Sequence, residues 1–479
     1  MTYPNGIIGR KEELIILDKV FKSPKSEFLV LYGRRRVGKT FLINRVFGPH
    51  FSFRITAMSS TTFSGQLVNF MAAYNASVSD SQLLLSEAPK NWFSAFQAII
   101  RLAEADKRPK KVIFFDELPW FDAYGADFLS ALEHFWNAWA SYRSDILLIG
   151  CGSAASWMIN QIIHNHGGLH NRITERIALQ PFTLSETEAF LQEKGGVFDR
   201  FQLLELYMVM GGIPYYLENI QVNRSVAQNI DRMFFSPNGL LRTEYDDLYR
   251  SLFKHPGKHL MIVEALAQKS KGLSRKDILA ATKLPNGGTS TKVLEELEQS
   301  GFIKQYSPFG SNKRESLFQL IDPFTLFYLT FIKDSRAEGE GAWISQMDSA
   351  KWHAWSGYAF EYICRAHIQA IKRHLGISGM YTEISNWRTK KSEKGAQIDL
   401  IIDRKDHVIN ICEMKFSIHP FSISKSYAEN LKHKLMSFRT ESKTTKTLFL
   451  TLITTYGVVP NAYSAQCVQE SLDMNALFD

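Results

Sequence analysis

The chain has 479 residues, 56 of them Lys or Arg against 48 Asp or Glu, for a formal charge of +8. With 45% hydrophobic and 22% charged residues it reads as ordinary globular material, long enough for about three domains; a disordered or fibrous chain is excluded. The basic excess is compatible with nucleic-acid contact but too thinly spread to establish it. Cys151, Cys364, Cys412 and Cys467 stand far apart with no CxxC pair, which predicts buried free thiols in a reducing compartment. No apolar run approaches about 18 residues and the first residues carry no signal-peptide core, so the expectation is a cytoplasmic protein without membrane contact.

The sequence IGRKEE opens an amphipathic helix whose Leu14, Ile15, Leu17, Val20 and Phe21 recur at helical spacing, with Ile7 or Ile8 a place for an adenine to lie. Residues 28–40, FLVLYGRRRVGKT, follow. The unbroken apolar run reads as a buried strand, and Gly33 to Thr40 complete G-x-x-x-x-G-K-[ST]. Such a loop turns successive backbone N–H groups of Gly33, Arg34, Arg35, Arg36, Val37 and Gly38 toward phosphate oxygens, and the helix beginning near Phe41 adds its positive end. Lys39 is expected on the β- and γ-phosphates of ATP and Thr40 on Mg²⁺.

A second strand is predicted at 51–56 and helices at about 62–76 and 91–106. Strand 111–116 ends in the adjacent carboxylates Asp116 and Glu117, at the strand end where ligands of open α/β sheets sit. Asp116 suits the Mg²⁺ shell and Glu117 a general base for the attacking water. Strand 145–150 leads to Ser153, which either senses the γ-phosphate or caps a helix at 154–163. His164, His166 and His170 cluster without a carboxylate or thiol and do not have recognisable metal-site spacing. Arg172 is either a transition-state arginine for a neighbouring subunit or half of an ion pair. A last strand is expected at 174–180.

Together YGRRRVGKT, FFDELPW, the GCGS after the next strand, LQPF and the GGIPYY at 211–216 resemble the archaeal-type ATPase family, P-loop proteins related to AAA+ and STAND ATPases. The resemblance covers most of the chain. It implies a five-stranded αβα nucleotide domain over 1–182 and a helical lid over 183–250, with GGIPYY in the lid near the nucleotide. The residues themselves say that Gly211 and Gly212 stop a helix and that Pro214 restarts the chain.

Over 251–322 the order is that of a winged helix-turn-helix. An apolar helix at 258–268 precedes one at 274–283, capped by Ser274 with Asp277 in the capping-box position. A third helix, 289–299, and two strands, 302–306 and 316–321, follow. Thr289, Ser290, Thr291 and Lys292 are expected to face a DNA groove, with Lys313 and Arg314 at the wing tip. Glu295, Glu296 and Glu298 oppose phosphate approach along the whole of that helix, and such modules also dock proteins.

The last segment, 323–479, starts with an apolar connector helix and a helix at 352–375 carrying Glu361. Strand 397–403 with Asp399 and strand 408–414 with Glu413 form a hairpin that brings both carboxylates to one end. Glu413 and Lys415, two apart, share a face. Two carboxylates suit a hard divalent cation, usually Mg²⁺, and a neighbouring lysine can orient water and stabilise phosphoryl charge. With helix 423–437 and strand 447–453 the order is αβββαβ, which resembles the PD-(D/E)XK restriction-endonuclease-like superfamily. That resemblance implies Asp399 and Glu413 on metal, Lys415 as the catalytic lysine and Glu361 as a further metal or water ligand; Ile398 stands in place of the family's proline. The basic residues Arg388, Lys390, Lys391 and Lys394 are placed to track a phosphate backbone.

The fold expected is therefore α/β and multidomain: an αβα P-loop ATPase with helical lid, a winged helix-turn-helix and an αβββαβ nuclease-like C-terminal domain. Its function is expected to be ATP hydrolysis coupled to metal-dependent cleavage of nucleic acid, DNA before RNA. The alternatives are a nucleotide-switched DNA- or protein-binding regulator with a non-catalytic C-terminal domain, and an ATP-driven remodeller. A homo-oligomer is possible under any of them.

Overall fold

The computed structural model describes residues 6–122, 127–164, 167–269, 271–310, 316–389 and 395–479. The chain divides into two compact units, Met1–Pro181 and Phe182–Asp479.

The first unit is built on five parallel strands, β1 (Glu27–Tyr32), β2 (Phe51–Thr56), β3 (Lys111–Asp116), β4 (Ile146–Gly152) and β5 (Glu175–Ala178), in the order β2-β3-β4-β1-β5. β1, β3 and β4 are buried almost throughout, which is why they read as unbroken apolar runs. Successive side chains point to opposite faces. Phe28, Val30, Ile113 and Phe115 join helices Phe63–Ser77, Trp92–Ala105 and Phe128–Ala138 in one aromatic-rich core. Helix Lys11–Lys22 packs on β1 and β5, and its Phe21 ring lies 5.7 Å from Phe47 of helix Lys39–Phe47.

The second unit begins with helices Leu184–Glu193 and Arg200–Met210, each opened by a capping box, Thr183 with Glu186 and Asp199 with Gln202. Gly211 and Gly212 both take positive φ, and a Cβ on Gly212 would sit 2.2 Å from the Phe182 carbonyl oxygen. The helix stops there, and Pro214 begins the next one. Further along, helix Gly257–Ala267, strand β6 (Leu273–Ser274) and helices Arg275–Thr282 and Gly288–Gln299 precede strands β7 (Ile303–Tyr306) and β8 (Leu317–Leu320). The three strands form an antiparallel sheet ordered β6-β8-β7. Ser274 and Asp277 make the capping box as expected.

A second five-stranded sheet ends the chain: β9 (Thr382–Arg388), β10 (Gln397–Arg404), β11 (Val408–Lys415), β12 (Thr447–Thr454) and β13 (Glu470–Leu472). Their order is β13-β12-β11-β10-β9, with β9, β10 and β11 antiparallel and β11, β12 and β13 parallel. The crossover from β11 to β12 is helix Lys425–Ser442, which seats Ala428, Leu431 and Phe438 on Ile409, Ile411 and Leu450.

Four expectations are corrected. The helix at 154–163 is a short turn, Ala155–Trp157, running into a π-helix, Met158–Ile163, whose first cap is Ala154 rather than Ser153. The helix at 352–375 is two, Ala350–Ala366 and Ile368–His374, broken at His367. The connector is a short helix, Pro323–Phe327, ending in a π turn, Tyr328–Ile332. Ser290 does not face outward: it is 2% exposed and its hydroxyl donates to the Pro285 carbonyl at 2.7 Å, whereas Thr289, Thr291 and Lys292 are exposed. His166, Lys313, Arg314, Lys390, Lys391 and Lys394 lie outside the described residues.

Candidate functional site

The candidate nucleotide site is the turn after β1. Gly33, at φ +146, lies against β5's continuation, where a Cβ would meet the Leu179 carbonyl oxygen at 2.3 Å. Arg36 and Gly38 are also left-handed, so the loop curls back before helix Lys39–Phe47 begins without a side-chain cap. Arg34 and Val37 are buried, Arg35 and Arg36 half-buried, and Phe41 is exposed under the Arg45 guanidinium. Lys39 is buried and its ammonium donates to the Gly33 and Arg34 carbonyls at 3.0 and 2.9 Å. The lysine is thus folded over the loop whose amides would cradle phosphate, and the cradle, cation and uncapped helix start fit a triphosphate.

The carboxylates arrive from β3. Buried Asp116 accepts from the Thr40 hydroxyl at 2.9 Å, so the two residues expected on Mg²⁺ already touch. Glu117 takes a left-handed φ of 55° as the chain leaves the strand, and its carboxylate accepts from the Ser153 hydroxyl at 2.8 Å and amide at 3.2 Å. Sequence reading left Ser153 between two roles; its hydroxyl is spent on Glu117. It also assigned nothing to Arg10. That side chain is 6% exposed and donates to the Val37 carbonyl at 3.1 Å and the Gln180 carbonyl at 2.7 Å, strapping the loop to the end of the sheet. A basic residue ahead of an amphipathic helix reads as helix-start charge, so nothing local reveals the strap.

Residues 7–220 match a family model described as an ATPase domain predominantly from Archaea. The chain carries an archaeal-type ATPase domain. An uncharacterized protein of Methanocaldococcus jannaschii is 23% identical over 397 residues, 82% of this chain and 83% of that protein. Among solved structures, a Walker-type ATPase of Pyrococcus abyssi aligns with TM-score 0.48 and 17% identity, over 69% of this chain and 98% of that one. The Aeropyrum pernix ORC2 protein, solved as ADPNP–ADP complexes, aligns with TM-score 0.41 and 14% identity, over 72% of this chain and 96% of that one.

Beyond the ATPase domain, Glu361, Asp399, Glu413 and Lys415 line one cavity. Helix Ala350–Ala366 supplies Glu361, β10 supplies Asp399 and β11 supplies Glu413 and Lys415. In the β10–β11 register Leu400 faces Cys412, so Asp399 and Glu413 are the next residues toward the same end. Burial, compounded by the Asp399 carboxylate, pushes Glu361 up to about 8, with Arg365 and Lys415 pulling the other way. Arg365 sits 3.7 Å from the Glu361 carboxylate and donates to Gln319 at 2.8 Å. Asp399 accepts from the Gln397 amide.

Glu413 is the most recessed, its side chain 6% exposed. Burial raises its carboxyl, but the Lys415 and Lys434 ammonium groups outweigh this and hold it below the usual range. Lys434 reaches its two oxygens at 2.8 and 3.0 Å, Lys415 lies at 3.1 Å and the Tyr427 hydroxyl donates at 2.9 Å. Sequence reading missed Lys434 and Tyr427. The signal was present: the two are seven apart on one amphipathic helix and so share a face, two turns from each other.

Among the described residues no group of three or more His, Cys, Asp or Glu side chains is arranged to hold a metal ion. Glu361 therefore does not complete a three-carboxylate set. Burial raises Glu361 more than the neighbouring charges do, and Asp399 with Glu413 would offer hard oxygen donors of the kind Mg²⁺ takes, the remaining positions falling to water or phosphate. No helix among the described residues is long and apolar enough to cross a membrane.

Proposed function

We propose that the protein couples ATP hydrolysis to phosphodiester cleavage of nucleic acid. At the first site Lys39 exchanges its two carbonyl partners for β- and γ-phosphate oxygens, and Thr40 and Asp116 are the residues that would hold Mg²⁺. Glu117 polarises the attacking water as general base. At the second site, Asp399 and Glu413 would hold a divalent cation, which supplies Lewis-acid stabilisation of the scissile phosphate. Lys415 orients water and stabilises phosphoryl charge, and Glu361 holds or takes up a proton at its carboxylate. The reading is carried by the convergence of Glu361, Asp399, Glu413 and Lys415 on one recessed cavity; a sheet end decorated by chance has no need of that convergence.

Helix Gly288–Gln299 and the β7–β8 hairpin are read as a winged helix-turn-helix that contacts DNA through exposed Thr289, Thr291 and Lys292. The ATPase domain could act as a homo-oligomer, with exposed Arg172 offered to a neighbour. A second reading is favoured by one observation. Glu413 is fully engaged by two lysines and a tyrosine, as in a structural network, which suits a nucleotide-switched regulator or remodeller with a non-catalytic C-terminal fold.

Cleavage of single- and double-stranded DNA and RNA in Mg²⁺ or Mn²⁺, with and without ATP, decides between them. Wild type is expected to cleave, Lys415→Ala to lose cleavage while hydrolysing ATP, and Lys39→Ala to lose both hydrolysis and any ATP dependence. Intact hydrolysis with no cleavage under any condition leaves the regulator.

A further inference from the structure

The cavity holding Glu361, Asp399, Glu413 and Lys415, about 600 Å³, adjoins a second of about 570 Å³. Both are lined by Lys271, Arg388, Thr389 and Gln397, so these residues form a shared lip. The second cavity runs on past Ser274, Asn386 and Leu317, between the small sheet and the edge strand β9.

Its wall is fixed. The amide of Phe309, beyond β7, donates to the Asn386 carbonyl at 2.7 Å, Pro308 bridges Asn386, and the Phe309 ring meets Phe438 edge-on at 5.0 Å. The small sheet and the large one are thereby joined along one side of the trough.

The first cavity is a pit rather than a face. Helix Ala350–Ala366 walls it with Gly357 and Glu361, helix Lys425–Ser442 with Asn430 and Lys434, and the small-sheet module with Lys271 and Gln319. The reactive groups are recessed to different depths: side-chain exposure is 6% for Glu413, 25% for Glu361 and 36% for Lys415. A single strand bends freely enough to set one phosphate into such a recess, whereas a duplex keeps each phosphate on a stiff backbone flanking grooves of about 12 and 6 Å.

Lys271 and Arg388 are exposed cations at the lip where a strand leaving the pit must pass. The acidic group in the second cavity, Asp277, is engaged locally: its carboxylate accepts from the Ser274 hydroxyl at 2.6 Å and amide at 3.3 Å.

We propose that the two cavities form one groove for single-stranded nucleic acid, entering over Lys271 and Arg388 and ending with its phosphate at Asp399 and Glu413. The proposal rests on the nuclease reading for what happens at the pit, but not for the binding itself. Backbone contact by two cations and polar side chains reads no base, so recognition is of a strand and its end rather than of a sequence.

The test uses the full chain with fluorescent 20-nucleotide single-stranded DNA, single-stranded RNA and blunt duplex DNA, and wild type beside Lys271→Glu, Arg388→Glu and Asp399→Asn. Single strands are expected to bind more tightly than duplex. Each charge reversal should weaken binding about tenfold at low salt and reduce the slope of log K against log salt by about one, with ATP hydrolysis unchanged as the folding control. Asp399→Asn should bind and not cut. The DNA and RNA arms tell which sugar the groove accepts. Equal binding of duplex and single strand, or binding indifferent to both reversals, overturns the proposal while leaving cleavage of duplex to support the nuclease reading. Strand binding that depends on Lys271 and Arg388, with no cleavage of any substrate, sustains the groove and overturns the nuclease.

Discussion

The Ser153 hydroxyl donates to the Glu117 carboxylate at 2.8 Å, joining the end of β4 to the residue that follows β3. Together with the Ser153 amide, which donates to the same carboxylate at 3.2 Å, the contact positions the side chain of a residue held at a left-handed backbone angle. In the proposed hydrolysis it would also couple Ser153 to the general base, because a phosphate oxygen that attracts the hydroxyl competes with Glu117 for its proton.

Ser153→Ala is therefore expected to lower the turnover of ATP about tenfold, the kinetic equivalent of one hydrogen bond of about 1.4 kcal/mol. ADP affinity should stay within threefold, since the hydrogen bond removed joins Ser153 to Glu117. Glu117→Gln should abolish turnover and retain ATP binding. Steady-state hydrolysis beside equilibrium titration with a fluorescent nucleotide separates the two effects. A Ser153→Ala enzyme with wild-type turnover would show that the hydroxyl positions nothing.

The Arg10 strap gives a different signature. Arg10→Met keeps the packing of the stem and removes donors to the buried carbonyl of Val37 and the part-buried one of Gln180. Leaving such acceptors unpaired costs about 1–3 kcal/mol, and the loss falls on the loop that binds phosphate. Nucleotide affinity should drop roughly tenfold to a hundredfold on that energy scale, with thermal stability of the nucleotide-free protein reduced as well. Hydrogen exchange of the amides at 33–40, faster in Arg10→Met, checks the mechanism directly; unchanged exchange there refutes it.

The parts legible in the sequence were those where one short segment carries both the strand and the chemistry. β1 with Gly33–Thr40, β3 with Asp116 and Glu117, and the β10–β11 hairpin with Asp399, Glu413 and Lys415 all follow from runs and spacings of a few residues. What was illegible is long-range: Arg10 reaches across 170 residues to Gln180, and Lys434 returns to Glu413 from the crossover helix. No local period announces such a partner. The break at His367 was hidden for the same reason, because the helical pattern of 352–375 continues through it while the ring's role is set by Leu184, 183 residues away.

Lys434 and Lys415 together keep a buried carboxylate ionised, so their deletions should not be additive. Lys434→Met is expected to destabilise the sheet around β11 by about 1–3 kcal/mol as Glu413 loses the two hydrogen bonds from the Lys434 ammonium. Added to Glu413→Gln, the same change should cost markedly less, because the charge it served is gone. Hydrogen exchange of the β11 amides in the two single variants and the double variant measures the coupling. Strict additivity would mean that the contact carries no energy.

His367 sets a pH dependence whose sign follows from its two hydrogen bonds. Nε2 accepts from the Leu184 amide at 3.0 Å and Nδ1 faces the Ile363 carbonyl at 2.9 Å, so the neutral ring with its proton on Nδ1 satisfies both. A second proton on Nε2 would point at an N–H. Burial is the main cause that pushes the imidazole down to about 4 from its ordinary 6.5, with the Ile363 carbonyl and the Glu186 carboxylate opposing it. Above pH 6.5 both folded and unfolded chains are neutral here, and the contribution to stability is fully present. As pH falls toward 4 the unfolded chain takes up the proton first, and up to about 3 kcal/mol is lost. His367→Gln retains an acceptor for the Leu184 amide and cannot titrate. The stability gap between wild type and His367→Gln, measured by thermal melting, should be widest near pH 8 and close progressively between pH 6.5 and 4. Parallel curves over that interval would show that the ring is not held neutral in the folded protein.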